Sequence, residues 1–333
     1  MDLTQLKSVN RLLFNIPLKP VQGERFQPTG FPNLGAATYQ TSSGTSLLVE
    51  SAQSMANRLE AVCWDDSAQR PVAELEGISY VTVTRNGQFL TSSMLEAHRI
   101  NSPYILESSD KSFYNKLKQA VGVMEDGPIN RSLLTEVLLK YDVNSLLHGV
   151  FLAKSDLAGG RLRISRALSA FVEATQADIA ASGGVKNDHV NPQGLTKKGF
   201  GNVPFSRDEY TAKEITLFVN LDLAQIRGYG LGEKVNRMLV LIALFKVRAL
   251  LESSLRFRTA CDFEVVVDEV FASNLSGFKL PKLDELVPEL KKAIADCVPY
   301  MEQTPVKFDD KFKKPKSKSK DDPDAEDSAD DDT

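Results

Sequence analysis

The chain reads as an α+β fold, a sheet with helices packed on one face. Three observations predict it. Apolar residues alternate with other residues in several runs, most plainly Leu12, Phe14, Ile16, Leu18 and Ile215, Leu217, Val219, Leu221. An Asn86-Gly87 pair sits between two such runs, the mark of an antiparallel hairpin. Segments with a helical apolar period fall between the strands. Strands interleaved with helices are also compatible with a doubly wound α/β sheet, and on pattern alone both stay open.

Taken in order, residues 11–21 form a first strand. A glycine- and proline-rich loop follows, with Gly23, Gly30, Gly35, Gly44, Pro28 and Pro32, and then a short strand at 46–49. Ser51 is placed to cap a helix running to Cys63. On it Ala52, Met55, Ala56, Leu59, Val62 and Cys63 share one face, Gln53, Ser54 and Asn57 the other, and Arg58 lies at the boundary. Residues 80–84 and 87–90 bracket the Asn86-Gly87 turn. Residues 91–147 read as mostly helical, broken at Pro103 and Gly127-Pro128. A buried strand is expected at 149–152, and the alternation Arg161, Leu162, Arg163, Ile164 sets both arginines on one side of another. Ser165 would cap a helix carrying Leu168, Phe171 and Val172 inward. The strand around 215–221 leads to a largely apolar helix over 233–253, a short strand at 263–267 and an amphipathic helix over 284–298. No internal repeat is visible, so residues 1–304 read as one elaborated domain.

The 333 residues, 42% of them apolar, suffice for a packed core. Three cysteines at long spacings, with no C-x-x-C, indicate neither a disulfide framework nor a zinc site, and no cofactor is expected. A reducing cytoplasm fits. The most apolar run, 238–245, is far too short for a membrane span. Net charge is −4, yet eight of the 44 acidic residues lie in 321–333, which leaves 36 against all 40 basic residues in the remainder. The body is therefore mildly basic. From Pro305 the composition turns to lysine, aspartate, serine and proline, with six lysines in 311–320 ahead of the acidic block, and disorder is expected over 305–333.

Candidate binding groups cluster in a few segments. Between Gly23 and Glu60 lie Arg25, Gln27, Thr29, Gln53, Ser54, Asn57 and Arg58, donors that suit an oligomeric anion, with no histidine, cysteine or acid–base pair among them. The glycines there would bring bare backbone amides close to phosphate. Between Gly183 and Tyr210, a stretch read as a long loop, Lys186, Lys197, Lys198 and Arg207 are interleaved with His189, Phe200, Phe205 and Tyr210, the mixture that neutralises phosphates and stacks on bases. Arg161 and Arg163 follow Gly159-Gly160, with Arg166 nearby. Arg256 and Arg258 alternate in the same manner but read as ordinary surface residues, and His98-Arg99 is a weaker candidate still. Gly228-Tyr229-Gly230-Leu231-Gly232 departs from G-x-G-x-x-G and reads as a glycine-rich turn near RNA or a plain helix entry. No H-x-x-x-H, G-x-S-x-G or G-x-x-x-x-G-K-[ST] occurs, so catalysis finds little support.

The strings RFQPTGFPNLGAATY (25–39) and LLVESAQSMANRLE (47–60) resemble the opening of the Cas-seven-type backbone subunit of type I-U (I-G) CRISPR effector complexes, a branch of the RAMP superfamily. The resemblance continues through GGRLRISRAL (159–168), GGVKNDHV (183–190), GFGNVPF (199–205), NLDLAQIRGYGLG (220–232) and LRFRTACDFEV (255–265). It implies an RRM-like, ferredoxin-like core sheet with helices and large inserted loops, about 91–147 as a helical insertion and about 183–210 as a thumb-like projection. It further implies a non-catalytic protein of antiviral defence that coats a guide RNA (crRNA) and polymerises along it as a filament. Partners would be the crRNA, further copies of the chain, other Cascade subunits and the target DNA strand paired to the guide, with no membrane involved. RNA contacts would fall to Arg25, Gln27, Thr29, Gln53, Ser54, Asn57, Arg58, Arg161, Arg163, Arg166, Lys186, Lys197, Lys198, Phe200 and Arg207. Related subunits of type III complexes cut RNA with a loop aspartate, so the alternative is a metal-dependent ribonuclease using Asp188.

Overall fold

The computed structural model describes residues 1–31, 35–122, 130–154, 157 and 160–310. Pro32, the Gly127-Pro128 break, Gly159 and the lysine- and aspartate-rich segment 311–333 lie outside the described residues. In chain order the first elements are β1 (Arg11–Pro20), β2 (Gly30–Phe31), β3 (Gly35–Ala36), β4 (Thr38–Thr41), β5 (Gly44–Glu50) and α1 (Ala52–Ala61). Next come β6 (Trp64–Asp65), β7 (Arg70–Pro71), β8 (Tyr80–Arg85), β9 (Gln88–Ser92), α2 (Pro103–Leu106), α3 (Ser112–Val121), α4 (Arg131–Tyr141) and α5 (Val143–His148). The remainder is β10 (Val150–Leu152), β11 (Leu162–Ile164), β12 (Leu168–Lys186), β13 (Val203–Asp222), α6 (Leu223–Gly228), α7 (Glu233–Glu252), β14 (Leu255–Arg258), β15 (Cys261–Val265), α8 (Leu283–Cys297) and β16 (Gln303–Lys307).

The main sheet runs β14-β15-β1-β13-β12-β5-β4, with every neighbouring pair antiparallel. Its centre, β15-β1-β13-β12, has a helix between β1 and β12 (α1) and another between β13 and β15 (α7). That is the β-α-β-β-α-β connectivity of a ferredoxin-like core, and the α+β, RRM-like class is the one found. The alternation in β1 explains the layering. Leu12, Phe14, Ile16 and Leu18 are buried and face Leu221, Val219, Leu217 and Ile215 of β13 in register. Each such side chain contributes about 2 kcal/mol by leaving water. Above this face α7 packs against α8, α1, α5 and α6.

Three expectations need correction. The segment after Ser165 is the strand β12 and not a helix, because Leu168, Ala170, Val172 and Ala174 pair with the apolar face of β13, leaving Phe171 to stack on Phe218 on the opposite face. The stretch 183–210 is largely ladder: β12 and β13 pair without a register shift from Leu168↔Leu221 to Lys186↔Val203, and the loop proper is only 187–202. The chain beyond Pro305 is partly ordered, since β16 pairs parallel with β8 and buries Val306, with Phe308 following. The boundary at 305 therefore falls inside a strand.

Candidate nucleic-acid interface

The distal part of the β12–β13 hairpin leaves the sheet. Alternating burial ends at Ala177, and from Asp178 to Lys186 every side chain is exposed or half-buried. Nine residues at about 3.4 Å each make a two-stranded ribbon on the order of 30 Å long. At its end Asp188 organises the tip: Oδ1 accepts from the amides of Val190 and Asn191, both at 2.9 Å, and Oδ2 from Gly201 at 2.7 Å. Those amides hold its carboxyl below the usual carboxylate range. This compact turn presents Lys197 and Lys198 on a single 3-10 turn, with Phe200 exposed beside them and Lys186 on the ribbon.

At the root of the ribbon Arg25 and Arg207 share one carboxylate. Glu209, buried, accepts from Arg207 Nε at 3.0 Å and Nη2 at 2.6 Å, and Arg25 Nη1 stands 3.7 Å from its other oxygen. Two guanidiniums on one acid leave a net positive charge at the surface. The isolated bridge between Phe26 and Tyr210 ties this segment to the ribbon. Further along, the amides of Gln27 and Thr29 donate to Ala260 and Val49. These two amides are thus engaged within the fold.

A second group forms around the exposed face of α1. Ser51 caps the helix through the amide of Ser54, which is half-buried, and Gln53 Nε2 donates to Asn57 Oδ1 at 3.1 Å. Arg166 donates to Gln53 Oε1, which brings three expected residues onto one patch. Burial, with the Arg99 guanidinium, draws Arg166 below the usual arginine range.

Arg58 does not join them. It donates to the carbonyls of Arg256 (3.1 Å) and Phe257, lies 5.0 Å from the Phe257 ring centroid, and stands 3.6 Å from Glu50 Oε1. Arg258 takes the other oxygen of the buried Glu50 and the carbonyls of Gln27 and Val49. The boundary position of Arg58 on α1 therefore serves to clamp the helix to β14. Of His98-Arg99, the histidine is exposed and the arginine is internal, buried against Glu60.

Arg161 and Arg163 flank Leu162 and are both exposed. Arg163 lines a polar cleft of about 440 Å³ together with Arg131 at the start of α4, Gln225 and Tyr229. Arg131 carried no sequence signal beyond following Asn130, whose side chain caps α4 by accepting from the Leu133 amide.

Among the described residues no helix is long and apolar enough to cross a membrane. No match was found among curated proteins. A solved chain described as "CRISPR RNA-guided surveillance complex, pre-nicking" aligns with a TM-score of 0.37 at 13% identity, over 78% of this chain and 76% of that one, a likeness too loose to assign a role. Residues 12–179 match the family model of CRISPR-associated protein GSU0053, a span that covers β1, α1, the helical insertion and the core of β12. By that match the chain belongs to the CRISPR-associated GSU0053 family.

Proposed function

We propose that this chain is a non-catalytic backbone subunit of the type I-U (I-G) kind, which binds guide RNA along the spacer and leaves base edges free to pair with target DNA. The observation that carries this reading is the β12–β13 ribbon, a rigid projection from a ferredoxin-like sheet that ends in Lys197, Lys198 and exposed Phe200. A projection of this kind presents charge and an aromatic ring at a distance from the body, as contact with a strand lying across the subunit requires. The residual positive charge of Arg25 and Arg207, the Gln53–Asn57–Arg166 patch and Arg163 would supply phosphate contacts. Successive copies would lie head to tail, a heterologous contact that yields an open filament. Asp188 is engaged on both oxygens by backbone amides, which supports a structural role for it and not a cleaving one.

Co-expression with a repeat–spacer transcript and its companion proteins tests the reading. RNA of uniform length should copurify with several copies of the chain. Material that stays monomeric and free of RNA would overturn it.

A further inference from the structure

The cleft beside β11 has an unbalanced composition. Arg131 and Arg163 both line it, and among the described residues no aspartate or glutamate does. Among the described residues neither arginine side chain makes an ion pair or a hydrogen bond. Two guanidiniums on one cleft repel each other unless an anion lies between them, and arginine forks match phosphate oxygens in particular. The floor is rigid and polar. Gln225 Nε2 donates to the Ser165 carbonyl at 2.6 Å and to Tyr229 Oη at 2.7 Å, Tyr229 Oη donates to the Leu146 carbonyl at 2.7 Å, and Thr135 Oγ1 donates to the Tyr229 carbonyl at 3.1 Å. A cleft walled this way keeps its shape without a ligand, so little ordering opposes binding.

An aromatic ring completes the arrangement. Phe151 of β10 is directly opposite Arg163 in the β10–β11 pair and is 53% exposed. Cross-strand partners project on the same face with their Cβ atoms about 5 Å apart. A base next to the phosphate held by Arg163 is therefore within reach of the Phe151 ring. We infer that this cleft seats one phosphodiester of an RNA strand between Arg131 and Arg163, with the adjoining base stacked on Phe151. The inference rests on the guide-RNA reading above and adds to it a site in which Arg131 and Phe151 take part.

The test uses the full chain, intact or carrying Arg131→Ala with Arg163→Ala, or Phe151→Leu. Binding of a labelled single-stranded RNA is measured by anisotropy over a salt series, and uptake of AMP and of inorganic phosphate by calorimetry. Both arginines are exposed, so the double variant should keep its thermal midpoint. Its RNA affinity should fall about fivefold, as for the loss of two surface ion pairs, and its salt slope by about 0.7, since a single phosphate contact is lost. Phe151→Leu should weaken RNA binding while leaving the slope alone. If the intact chain binds RNA and the double variant matches it in affinity and slope, the cleft is not an RNA site and the guide-RNA reading survives. If AMP or phosphate binds the intact chain and is lost in the variant with the RNA slope unchanged, the cleft serves a free anion and the inference falls. If the intact chain binds no RNA, the guide-RNA reading itself fails and takes the inference with it.

Discussion

Arg99 meets Glu60 in a two-point contact, Nε at 2.7 Å from Oε1 and Nη2 at 2.8 Å from Oε2, where both side chains are only 6% exposed. The pair joins α1 to the turn before α2. Around it Arg99 Nη1 donates to the Gly149 carbonyl at 3.1 Å, Asn144 donates to Glu60, and Lys246 Nζ donates to Asn144 Oδ1 at 2.8 Å. Removing one member leaves a buried charge uncompensated, which costs about 3–5 kcal/mol, whereas replacing both by apolar residues of similar size costs much less. Arg99→Met alone should thus lower the urea midpoint sharply. Arg99→Met combined with Glu60→Leu should recover most of the loss, and a double variant no better than the single one would show that the two side chains are not coupled.

Asp142 gives the fold a pH dependence of defined sign. It is buried, accepts from Ser145 Oγ at 2.6 Å and the Ile100 amide at 3.2 Å, and burial pushes its carboxyl up to about 7. In the unfolded chain it titrates near 3.8. A carboxyl raised on folding holds its full stabilising share below the unfolded value and loses it as pH climbs through the folded one. The buried His148, held well below the usual imidazole range by burial and by the Lys246 and Arg99 charges, acts in the opposite direction, so the wild-type profile alone is ambiguous. Asp142→Asn separates them. Between pH 8 and 5.5 the wild type should gain about 2 kcal/mol relative to the variant. Equal shifts in urea midpoint for the two proteins would dismiss the effect.

How far the fold was legible depended on whether the local pattern and the tertiary role agreed. Leu12 to Leu18 alternate because one face is buried, and Asn86-Gly87 turns because both residues adopt positive φ, 50° and 77°, so these elements were readable. Leu168, Phe171 and Val172 have helical spacing, but the buried face is completed by Ala170 and Ala174, whose small side chains carry little periodic signal. Val306 was hidden by its lysine-rich surroundings, and only pairing with β8 reveals its burial. The site was legible by residue type and less so by engagement. Lys197, Lys198, Gln53 and Asn57 are exposed as expected. Arg58 and Arg258 look identical to free arginines in sequence until Glu50, itself read as part of no site, is found between them.

Arg58 and the tip lysines should consequently behave in opposite ways. Arg58→Ala forfeits two carbonyl acceptors and leaves Glu50 to Arg258 alone, which should cost about 1–2 kcal/mol of stability with little change in the salt dependence of RNA binding. Lys197→Ala with Lys198→Ala should leave the thermal midpoint in place and lower the salt slope by about 1.4. Denaturant titration alongside a salt series of RNA affinity checks both, and a slope loss confined to Arg58→Ala would reverse the assignment.

The geometry of the tip rests on Gly201. Its φ is +81°, and a Cβ there would come within 2.5 Å of the Gly194 carbonyl oxygen, a backbone atom that cannot swing aside. Gly201→Ala therefore has to open the turn, which pulls the Gly201 amide from Asp188 Oδ2 and loosens the segment that carries Lys197 and Lys198. The ribbon separates this turn from the core, so global stability should hardly change. Limited trypsin digestion should instead cut after Lys197 or Lys198 several times faster than in the wild type, while the thermal midpoint stays the same. If cleavage is unchanged, Asp188 and Gly201 do not set the shape of the tip; if the midpoint drops with it, the tip is coupled to the body more tightly than a protruding ribbon allows.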